Sequence, residues 1–273
     1  MTLKKDYINL IEFIIEALNS VSKIANRNFG RVSSTVKSTD ANQVLTKTDL
    51  EVGDVLIGRI REAFTNHNII DEEAGVINNQ SEYTWVIDPI DGTSNFAEGV
   101  PLYGTMIGLL QDDIPVVGGI ALPFFSEVCV AAKGMGAWCN NTKLRVSNAT
   151  RLLSTLVAYG IDANQEDPGF TKQECEMLAE IILNVRNIRS SNSVFDAVML
   201  AKGKYGGLLN RTSRIWDNVA QQVLIEEAGG AYTDFFGGPV DYSDPLSKVT
   251  ENYTFCAAPP VLHTQLQKII LGS

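Results

Sequence analysis

The sequence predicts a layered α+β fold, in which helices and sheets mix and the first half is partly antiparallel. The chain opens on apolar residues at helical spacing, from Tyr7 to Ala25. From about residue 84 to 146, short apolar runs alternate with Gly, Pro and Asp, which indicates a succession of strands. The second half alternates strand and helix patterns. No Pro- or Gly-rich linker divides the 273 residues, so we expect one unit of two closely packed lobes, about 1–148 and 149–273, with the functional site between them.

The opening helix is predicted to end near Asn28 to Gly30, because Gly favours the left-handed backbone that ends many helices. Residues 31–46 are polar and rich in Ser and Thr, which predicts a mobile loop. A second helix follows, and Thr48 or Asp49 is its predicted N-cap, since both side chains can accept a hydrogen bond from the first turn.

The remaining elements follow from changes in the apolar period. Strands are predicted at residues 85–88, 105–110, 116–122, 128–132, 155–159, 206–209, 231–233 and 253–257. Helices are predicted at residues 172–183, 192–201, 216–228 and 260–271. The pair Gly229-Gly230 marks the end of the third of these helices.

Composition and charge exclude several classes of protein. The formal net charge of −10 leaves no broad basic surface, so we expect no nucleic-acid polymer and no membrane as partner. Four cysteines without a C-x-x-C pair and only two histidines do not provide a zinc site. The chain has no apolar run of about 18 residues, and its start leads into an amphipathic pattern in place of an apolar signal core. We therefore expect a cytoplasmic protein with free thiols, although the spacing leaves one disulfide open.

The most informative stretch runs from Trp85 to Phe96 and reads Trp-Val-Ile-Asp-Pro-Ile-Asp-Gly-Thr-Ser-Asn-Phe. An apolar strand ends in two carboxylates, Asp88 and Asp91, and a Gly-Thr-Ser turn follows at once. Strand-end carboxylates bind hard cations, and a Gly-containing turn frees backbone N–H groups for an anion. Metal ions and a phosphate can therefore be held side by side, as metal-assisted hydrolysis of a phosphate ester requires.

Acidic residues recur where apolar elements end. Besides Asp88 and Asp91, the clusters are Asp71-Glu72-Glu73 after Ile69-Ile70 and Asp217 after Ile215-Trp216, with Asp49 as a possible fourth. A single acid of this kind is ordinarily a solvated turn or a helix cap. Together the clusters indicate a site for cations, because carboxylates at the ends of buried elements are costly to desolvate unless cations compensate their charge. Few basic residues lie near them in the sequence, so we expect the compensation to come from bound cations.

These acidic segments resemble the inositol monophosphatase family. The quoted motifs follow the family's order and spacing over nearly the whole chain: Lys47-Thr48-Asp49, Ile70-Asp71-Glu72-Glu73, Asp88-Pro89-Ile90-Asp91-Gly92-Thr93-Ser94-Asn95-Phe96, and Trp216-Asp217-Asn218-Val219-Ala220 with Glu227-Ala228-Gly229-Gly230. The resemblance implies a layered α-β-α-β-α sandwich, usually dimeric, of the inositol monophosphatase and sugar phosphatase type. It also implies a Mg²⁺-dependent, lithium-sensitive phosphomonoesterase.

The resemblance implies metal-binding roles for five residues. Glu72, Asp88 and the backbone carbonyl of Ile90 would hold one Mg²⁺. Asp88 would bridge to a second Mg²⁺, held also by Asp91 and Asp217. An all-oxygen set of ligands suits Mg²⁺, and two or three ions per site are expected.

The resemblance also implies catalytic and phosphate-binding roles. Glu73 and Thr93 would orient and help to deprotonate a metal-activated water for in-line attack on phosphorus, and Asp49 would complete a third, weaker Mg²⁺ position. The N–H groups of Gly92 and Thr93 would bind phosphate oxygens at the start of a short helix. Ser94 is assigned to this phosphate-binding turn and not to a nucleophile, because no phosphoenzyme is needed.

The chain departs from the family's inositol-processing members on the substrate side. Those members generally carry a Glu seven positions before the second-signature Asp, where this chain has Asn210. Arg214 stands nearby, where a neutral or weakly basic residue is commoner. A lost anion and an added cation favour a more anionic substrate, so both residues are predicted to bind substrate. Lys37 is a further candidate to reach the substrate or the water shell of a third metal.

The sequence therefore predicts Mg²⁺-dependent hydrolysis of a small phosphate monoester similar to inositol monophosphate. The alternatives on the same fold are a 3′(2′),5′-bisphosphate nucleotidase and a fructose-1,6-bisphosphatase. A non-enzymatic alternative is a metal-binding regulatory protein that acts through a partner. The expected partners are a small phosphorylated substrate and a second copy of the chain, in a homodimer.

Overall fold

The computed structural model describes residues 2–37 and 40–272. Its helices are α1 (Thr2–Asn28), α2 (Lys47–Ala63), α3 (Thr93–Ala97), α4 (Pro168–Asn184), α5 (Phe195–Ala201), α6 (Ile215–Glu227) and α7 (Pro260–Leu271). The strands of the first half are β1 (Ser34–Lys37), β2 (Asp40–Thr46), β3 (Asn68–Asp71), β4 (Gly75–Ile77), β5 (Tyr83–Asp91), β6 (Gly104–Gln111), β7 (Ile114–Leu122), β8 (Glu127–Ala132), β9 (Gly136–Cys139) and β10 (Thr142–Lys143). Those of the second half are β11 (Leu156–Gly160), β12 (Asn187–Arg189), β13 (Gly207–Ser213), β14 (Ala231–Thr233) and β15 (Tyr253–Ala258).

The strands form two large sheets and a separate hairpin. Over the described residues, the first sheet has eight strands in the order β10-β9-β8-β7-β6-β5-β3-β4 and is antiparallel except for the parallel β3–β5 pair. The second has five strands in the order β12-β11-β13-β15-β14 and is mixed. The β1–β2 pair stands apart from both. The expected partly antiparallel first half is thus observed.

The layers alternate helix and sheet. Helices α1 and α2 cover one face of the first sheet, and α5 and α6 lie between the two sheets. Helices α4 and α7 pack together on the far side, where α7 contacts β13 and β15 of the second sheet. This arrangement confirms the predicted layered α-β-α-β-α sandwich. The division into two lobes near residue 148 stays a prediction, and its outer bounds, Met1 and Ser273, lie outside the described residues.

Two glycines let helix α6 approach the first sheet closely. A Cβ on Gly108 of β6 would lie 2.6 Å from Cγ1 of Val219, and one on Gly118 of β7 would lie 2.5 Å from the carbonyl oxygen of Ala220. Any larger residue at either position would push the helix away from the sheet. This close packing brings the first turn of α6, with Asp217, to the first sheet.

The segment predicted as a loop at residues 31–46 is largely a hairpin. Ser34 pairs with Thr46 and Val36 with Val44 across antiparallel β1 and β2, so the prediction of a loop over these residues is wrong. No residue of β1 is buried and Val36 is 63% exposed, so this strand shows no buried period. β-Branched Thr and Val favour strands even in a polar segment. Residues 38 and 39 of this segment lie outside the described residues.

The N-cap of α2 also differs from the prediction of Thr48 or Asp49. Thr46 is the N-cap, and its hydroxyl accepts from the N–H of Thr48 at 3.1 Å. Asp49 is the third residue of the helix, and its carboxylate accepts from the N–H of Thr46 at 3.0 Å, which completes a capping box.

Within residues 2–37 and 40–272, no helix has both the length and the apolar composition needed to cross a membrane.

Candidate active site

The acids predicted from sequence come from three different elements. Glu72 and Glu73 follow the end of β3, Asp88 and Asp91 lie near the end of β5, and Asp217 is in the first turn of α6. Because β3 and β5 are parallel neighbours, with Asp71 opposite Ile87, their carboxyl ends meet at one edge of the first sheet. Helix α6 is packed on the same sheet. The fold thus gathers the acids at one place.

An irregularity in β5 separates its two carboxylates. Asp88 pairs with Met106 and Asp91 with Gly104, so β5 has one more residue than β6 over this span. The extra residue forms a bulge that includes Pro89, which has no N–H to donate to the ladder. The carbonyl of Pro89 accepts instead from the hydroxyl of Thr105 at 2.8 Å. A bulge bends the strand and redirects side chains, and beyond it the carboxylate of Asp91 lies near that of Asp217 in α6.

Three carboxylates meet where β5 and α6 approach. Asp88, Asp91 and Asp217 each offer an oxygen, and these atoms lie within 4.8 Å of one another. Asp88 is 2% exposed, and within the described part of the chain its Oδ1 has no hydrogen-bond partner. Asp91 accepts a hydrogen bond from the backbone N–H of Val194. We call Asp88, Asp91 and Asp217 the aspartate trio.

Burial and mutual repulsion make these carboxyls hard to ionise. Burial raises the pKa of Asp88 and of Asp91 well above the ordinary value, and the neighbouring carboxylates add to the rise. Burial also raises the pKa of Asp217 to about 6, although the N–H and the positive charge of Arg214 oppose it. Three acids in this condition favour a bound cation, which would lower all three pKa values.

A buried hydrogen-bond network fixes the start of α6. The N–H of Arg214 donates to Oδ2 of Asp217 at 2.6 Å. One residue further on, the Asn218 amide donates to the hydroxyl of Ser213 at 2.9 Å and to the carbonyl of Arg214 at 2.5 Å. The hydroxyl of Tyr232 donates to Oδ1 of Asn218 at 2.7 Å. The direction of the Asp217 carboxylate is therefore set by the backbone turn before the helix.

The two glutamates share one cation. Nζ of Lys37, at the end of β1, lies 2.7 Å from Oε1 of Glu72 and 2.5 Å from Oε1 of Glu73. Burial alone would lower the pKa of Lys37, but the two carboxylates outweigh it and raise that pKa above its usual value. Burial raises the pKa of Glu72 to about 7 even with the ammonium beside it. Lys37 therefore supplies part of the compensation that was expected from bound cations, and cation binding at the glutamates stays a prediction.

Asp49 and Thr93 are joined by a hydrogen bond across two helices. The hydroxyl of Thr93 lies 3.1 Å from Oδ1 of Asp49 and 2.8 Å from the carbonyl of Ile90. The other carboxylate oxygen of Asp49 accepts from the hydroxyl of Thr46 at 2.5 Å. Burial raises the pKa of Asp49, and its hydrogen bonds with Thr46 and Thr93 oppose that rise. Both oxygens of Asp49 are thus engaged within the protein.

The residues predicted to bind substrate lie in two groups. Gly92 begins α3 with φ of 80°, and a Cβ there would lie 2.8 Å from that of Ser193, so only Gly fits. Ser94, in the first turn of the same helix, is exposed. The first N–H groups of a helix have no partner within it and point toward an incoming anion. This group lies beside the aspartate trio, at the end of β5.

Asn210 and Arg214 form the other group, on the side of the second sheet. Oδ1 of Asn210 accepts from the N–H of Thr212 at 2.6 Å, so its amide is oriented by its own strand. Nη1 of Arg214 donates to the carbonyl of Thr250 at 2.5 Å. The role of Arg214 in binding substrate stays a prediction.

Three contacts that position the acids were not predicted from sequence. Thr46 stands three residues before Asp49, and this capping-box spacing could have identified it. The ion pairs of Lys37 join positions far apart in the chain and follow from no local pattern. The N–H of Val194 is a backbone group, so no side chain reveals it.

The residues present fit a hard divalent cation. The aspartate trio supplies only oxygen ligands, includes a buried oxygen without a partner, and spans the size of one ion's coordination shell. Glu72 and the carbonyl of Ile90 belong to the same edge of the first sheet. Carboxylate and carbonyl oxygens select Mg²⁺, Ca²⁺ or Mn²⁺ over softer metals.

Known proteins resemble this chain over most of its length. A model of the inositol monophosphatase family matches residues 6–270. A fructose-1,6-bisphosphatase/inositol-1-monophosphatase of Aquifex aeolicus is 29% identical over 231 residues, which cover 82% of this chain and 85% of that protein. A Nus factor SuhB of Pasteurella multocida is 29% identical over 265 residues, 95% of each chain. The structure of inositol monophosphatase from Anabaena superposes with a TM-score of 0.82 at 27% identity, covering 98% of this chain and 97% of that one.

Proposed function

The chain belongs to the inositol monophosphatase family, and we propose that it is a phosphoric monoester hydrolase that uses Mg²⁺ to hydrolyse a small phosphate monoester. The observation that carries this proposal is the aspartate trio, whose oxygens lie within 4.8 Å of one another and include a buried oxygen without a partner in the described chain. A relative named for inositol monophosphatase and fructose-1,6-bisphosphatase activity supports the same reaction class.

We assign the metal ligands as the sequence predicts them. Glu72, Asp88 and the carbonyl of Ile90 would hold one ion, and Asp88, Asp91 and Asp217 a second. When bound, the two ions supply a polarised water and neutralise charge on the phosphate and on the leaving oxygen. The protein's own part is to hold these oxygens in place, through the bulge in β5 and the capped start of α6.

The attacking water is oriented by Thr93 and Glu73. A hydroxyl has one proton, so Thr93 Oγ1 can accept from the water only while it donates to one of its neighbours. When it donates to Oδ1 of Asp49, at 3.1 Å, a proton can pass from the water to Thr93 and on to Asp49. The raised pKa of Asp49 makes its carboxylate a better acceptor for that proton. Glu73 is a second acceptor, and its charge is balanced by Lys37.

Phosphate would lie over the start of α3, with its oxygens on the N–H groups of Gly92 and Thr93. Ser94 belongs to this turn and is exposed. Direct attack by water, without a phosphoenzyme, is therefore the proposed route. Asn210 and Arg214 would contact the rest of the substrate, and the positive charge of Arg214 favours a second anionic group.

The test is phosphate release with Mg²⁺, with and without Li⁺, over a panel of esters. The panel holds inositol 1-phosphate, fructose 1,6-bisphosphate, histidinol phosphate and 3′-phosphoadenosine 5′-phosphate. Mg²⁺-dependent turnover of one compound supports the proposal and identifies the substrate class, and inhibition by Li⁺ would fit the lithium sensitivity proposed for the site. Metal binding without turnover of any compound counts against a phosphatase. If Arg214→Ala lowers turnover of monophosphates and bisphosphates equally, Arg214 does not select between these two classes of substrate.

A metal-binding regulatory role is the second candidate. It is favoured by relatives named Nus factor SuhB, which match this chain as fully as the named phosphatases do. The intact set of acids at the proposed metal site favours catalysis over this alternative. A measured function that persists without any divalent metal would favour it instead.

We further propose a homodimer in the cytoplasm. The dimer is suggested by family membership, and light scattering of the purified protein would test it. A reducing compartment is supported by the cysteines of the described chain, Cys129, Cys139, Cys175 and Cys256, which are all free thiols.

A further inference from the structure

A buried carboxylate outside the proposed chemistry stands immediately before the two glutamates. Asp71 ends β3 and is 1% exposed. Its Oδ1 accepts from the backbone N–H of Glu73 at 2.9 Å and from that of Ala74 at 2.8 Å. A side chain that bonds N–H groups two and three residues ahead fixes the backbone of the turn between them. That turn carries Glu72 and Glu73.

The same turn is tied to β5 on its other side. The N–H of Glu72 donates to the carbonyl of Ile87 at 3.2 Å, next to Asp88. The backbone of Glu72 is therefore held by the strand of the aspartate trio, and that of Glu73 by Asp71. With both fixed, the two glutamate side chains leave the turn in set directions relative to Asp88.

The burial of Asp71 costs folding free energy, which indicates that this side chain has a functional role. Within the described residues its Oδ2 has no hydrogen-bond partner although it is buried, and such groups ordinarily destabilise a fold. The oxygen fits because α2 has Gly53 beside it, where a Cβ would lie 3.1 Å from Oδ2 and 3.4 Å from Cγ of Pro89. Helix α2 thus leaves room for a carboxylate that makes only half of its possible contacts.

We propose that Asp71 is a positioning residue that sets the turn bearing Glu72 and Glu73 in the geometry that binds metal. This inference rests on the proposed function, because it takes Glu72 as a metal ligand and Glu73 as a proton acceptor. Asp71 itself touches neither metal nor substrate. Its contribution is the acceptor oxygen Oδ1, and an amide oxygen can replace that oxygen.

The experiment measures Mg²⁺ affinity by calorimetry on the full chain and phosphate release on the same samples. Asp71→Ala removes the acceptor, whereas Asp71→Asn keeps an oxygen for the N–H groups of Glu73 and Ala74. Asn68→Ala is the matched control at the other end of β3. Asn68 is also buried, and its Oδ1 accepts from two backbone N–H groups, of Asn79 at 2.8 Å and of Ser81 at 3.2 Å, away from the acids.

We expect Asp71→Ala to weaken Mg²⁺ binding by about 10- to 100-fold, the usual loss when a group that orients a metal ligand is removed. Asp71→Asn should restore most of the affinity. Asn68→Ala should lower the unfolding temperature as much as Asp71→Ala does but leave the Mg²⁺ affinity unchanged. This split separates positioning from general stability.

Three results would overturn the inference. The first is wild-type Mg²⁺ affinity in Asp71→Ala, and the second is an equal loss in Asp71→Asn and Asp71→Ala, which would mean that charge and not hydrogen bonding matters. The third is a wild-type protein that binds no Mg²⁺, which would overturn the metal assignment as well. Mg²⁺ binding by the wild type without phosphate release would overturn only the proposed function, because the affinities of the variants still test Asp71.

Two glycines of α2 give a second test that leaves Asp71 in place. Gly53→Ala puts a methyl group 3.1 Å from Oδ2 of Asp71, so the carboxylate must shift to make room. A Cβ on Gly58 meets nothing within 4 Å. We expect Gly53→Ala to weaken Mg²⁺ binding, by less than Asp71→Ala does, and Gly58→Ala to leave it unchanged. Equal Mg²⁺ affinities in the two variants would contradict the inference.

Discussion

The glutamates and the aspartate trio of the candidate site differ in how their charge is compensated. On the glutamate side, Glu72 and Glu73 share the ammonium of Lys37 at 2.7 and 2.5 Å. On the side of the aspartate trio, no lysine or arginine of the described chain forms an ion pair with any of the three carboxylates. The glutamates thus have a lysine in direct contact, whereas within the described residues the trio has only the more distant positive charge of Arg214, which lowers the pKa of Asp217.

This difference shows which part of the site depends on an external cation. Burial raises the pKa values on both sides, to about 7 for Glu72 and to about 6 for Asp217. Lys37 can offset the glutamates before any metal binds, whereas the trio must hold protons or bind cations. The trio is therefore the side whose stability and ionisation should respond most to Mg²⁺.

The largest expected effect comes from removing a charge from the trio. Asp91→Asn and Asp217→Asn should each lower phosphate release by more than about 100-fold, because losing a ligand costs at least as much as losing a group that orients one. The fold should remain intact, since the amide is isosteric and relieves repulsion. Asp112→Asn, in an exposed turn, is the control for the same chemical change. Near-normal turnover in either trio variant would mean that the metal ligands are wrongly assigned.

On the glutamate side, Lys37→Met tests the internal counter-ion. It should lower the free energy of unfolding of the metal-free protein by about 3 kcal/mol, because two largely buried carboxylates lose the one ion-pair partner that they have among the described residues. The loss should shrink in Mg²⁺, which can take over the compensation, and Lys37→Arg should show little loss. Urea unfolding with and without Mg²⁺ measures both. If Mg²⁺ does not reduce the loss of unfolding free energy in Lys37→Met, the glutamates are not part of the metal site.

The pH dependence of stability tests the trio and Glu72 together. Their pKa values in the folded protein lie above the usual values of 3.8 and 4.5, so the folded state binds more protons than the unfolded chain. The contribution of Asp217 and Glu72 to stability is therefore largest in acid and is lost as the pH rises from about 4 to 7.

Mg²⁺ should reverse this loss at pH 7, adding about 2.7 kcal/mol at a concentration 100 times its Kd. Thermal unfolding between pH 4 and 7.5 measures the slope, and Asp217→Asn should reduce it. A metal-free slope that is the same in wild type and Asp217→Asn would contradict the assignment.

The smallest effect is expected from an ion pair that matches Lys37 in distance but lies at the surface. Nη2 of Arg27 lies 2.7 Å from Oε1 of Glu51, and the two side chains are 63% and 44% exposed. Arg27→Ala should lower the free energy of unfolding by less than about 1 kcal/mol, because solvent screens exposed pairs. If Arg27→Ala costs as much as Lys37→Met in urea unfolding, burial does not explain the importance of Lys37.

The sequence predicted the acids and most of the elements that carry them, because those signals are local. The apolar period located helices such as α7 at its observed bounds, and the acids stood where apolar runs ended. The hairpin of β1 and β2 was not predicted, since no residue of β1 is buried and that strand shows no buried period. The ion pairs of Lys37 and the bond from the N–H of Val194 to Asp91 join residues distant in sequence, which only the packed fold brings together.

The glycines under α6 determine when the site can exist during folding. Asp88 and Asp91 belong to β5, but Asp217 arrives only when α6 settles against Gly108 and Gly118 of the first sheet. Closing so long a stretch of chain is an entropically expensive, non-local step. A nascent chain that has completed the first sheet but not α6 therefore lacks the trio. If the trio binds Mg²⁺ as proposed, tight Mg²⁺ binding by a refolding sample would report that α6 has packed against the first sheet.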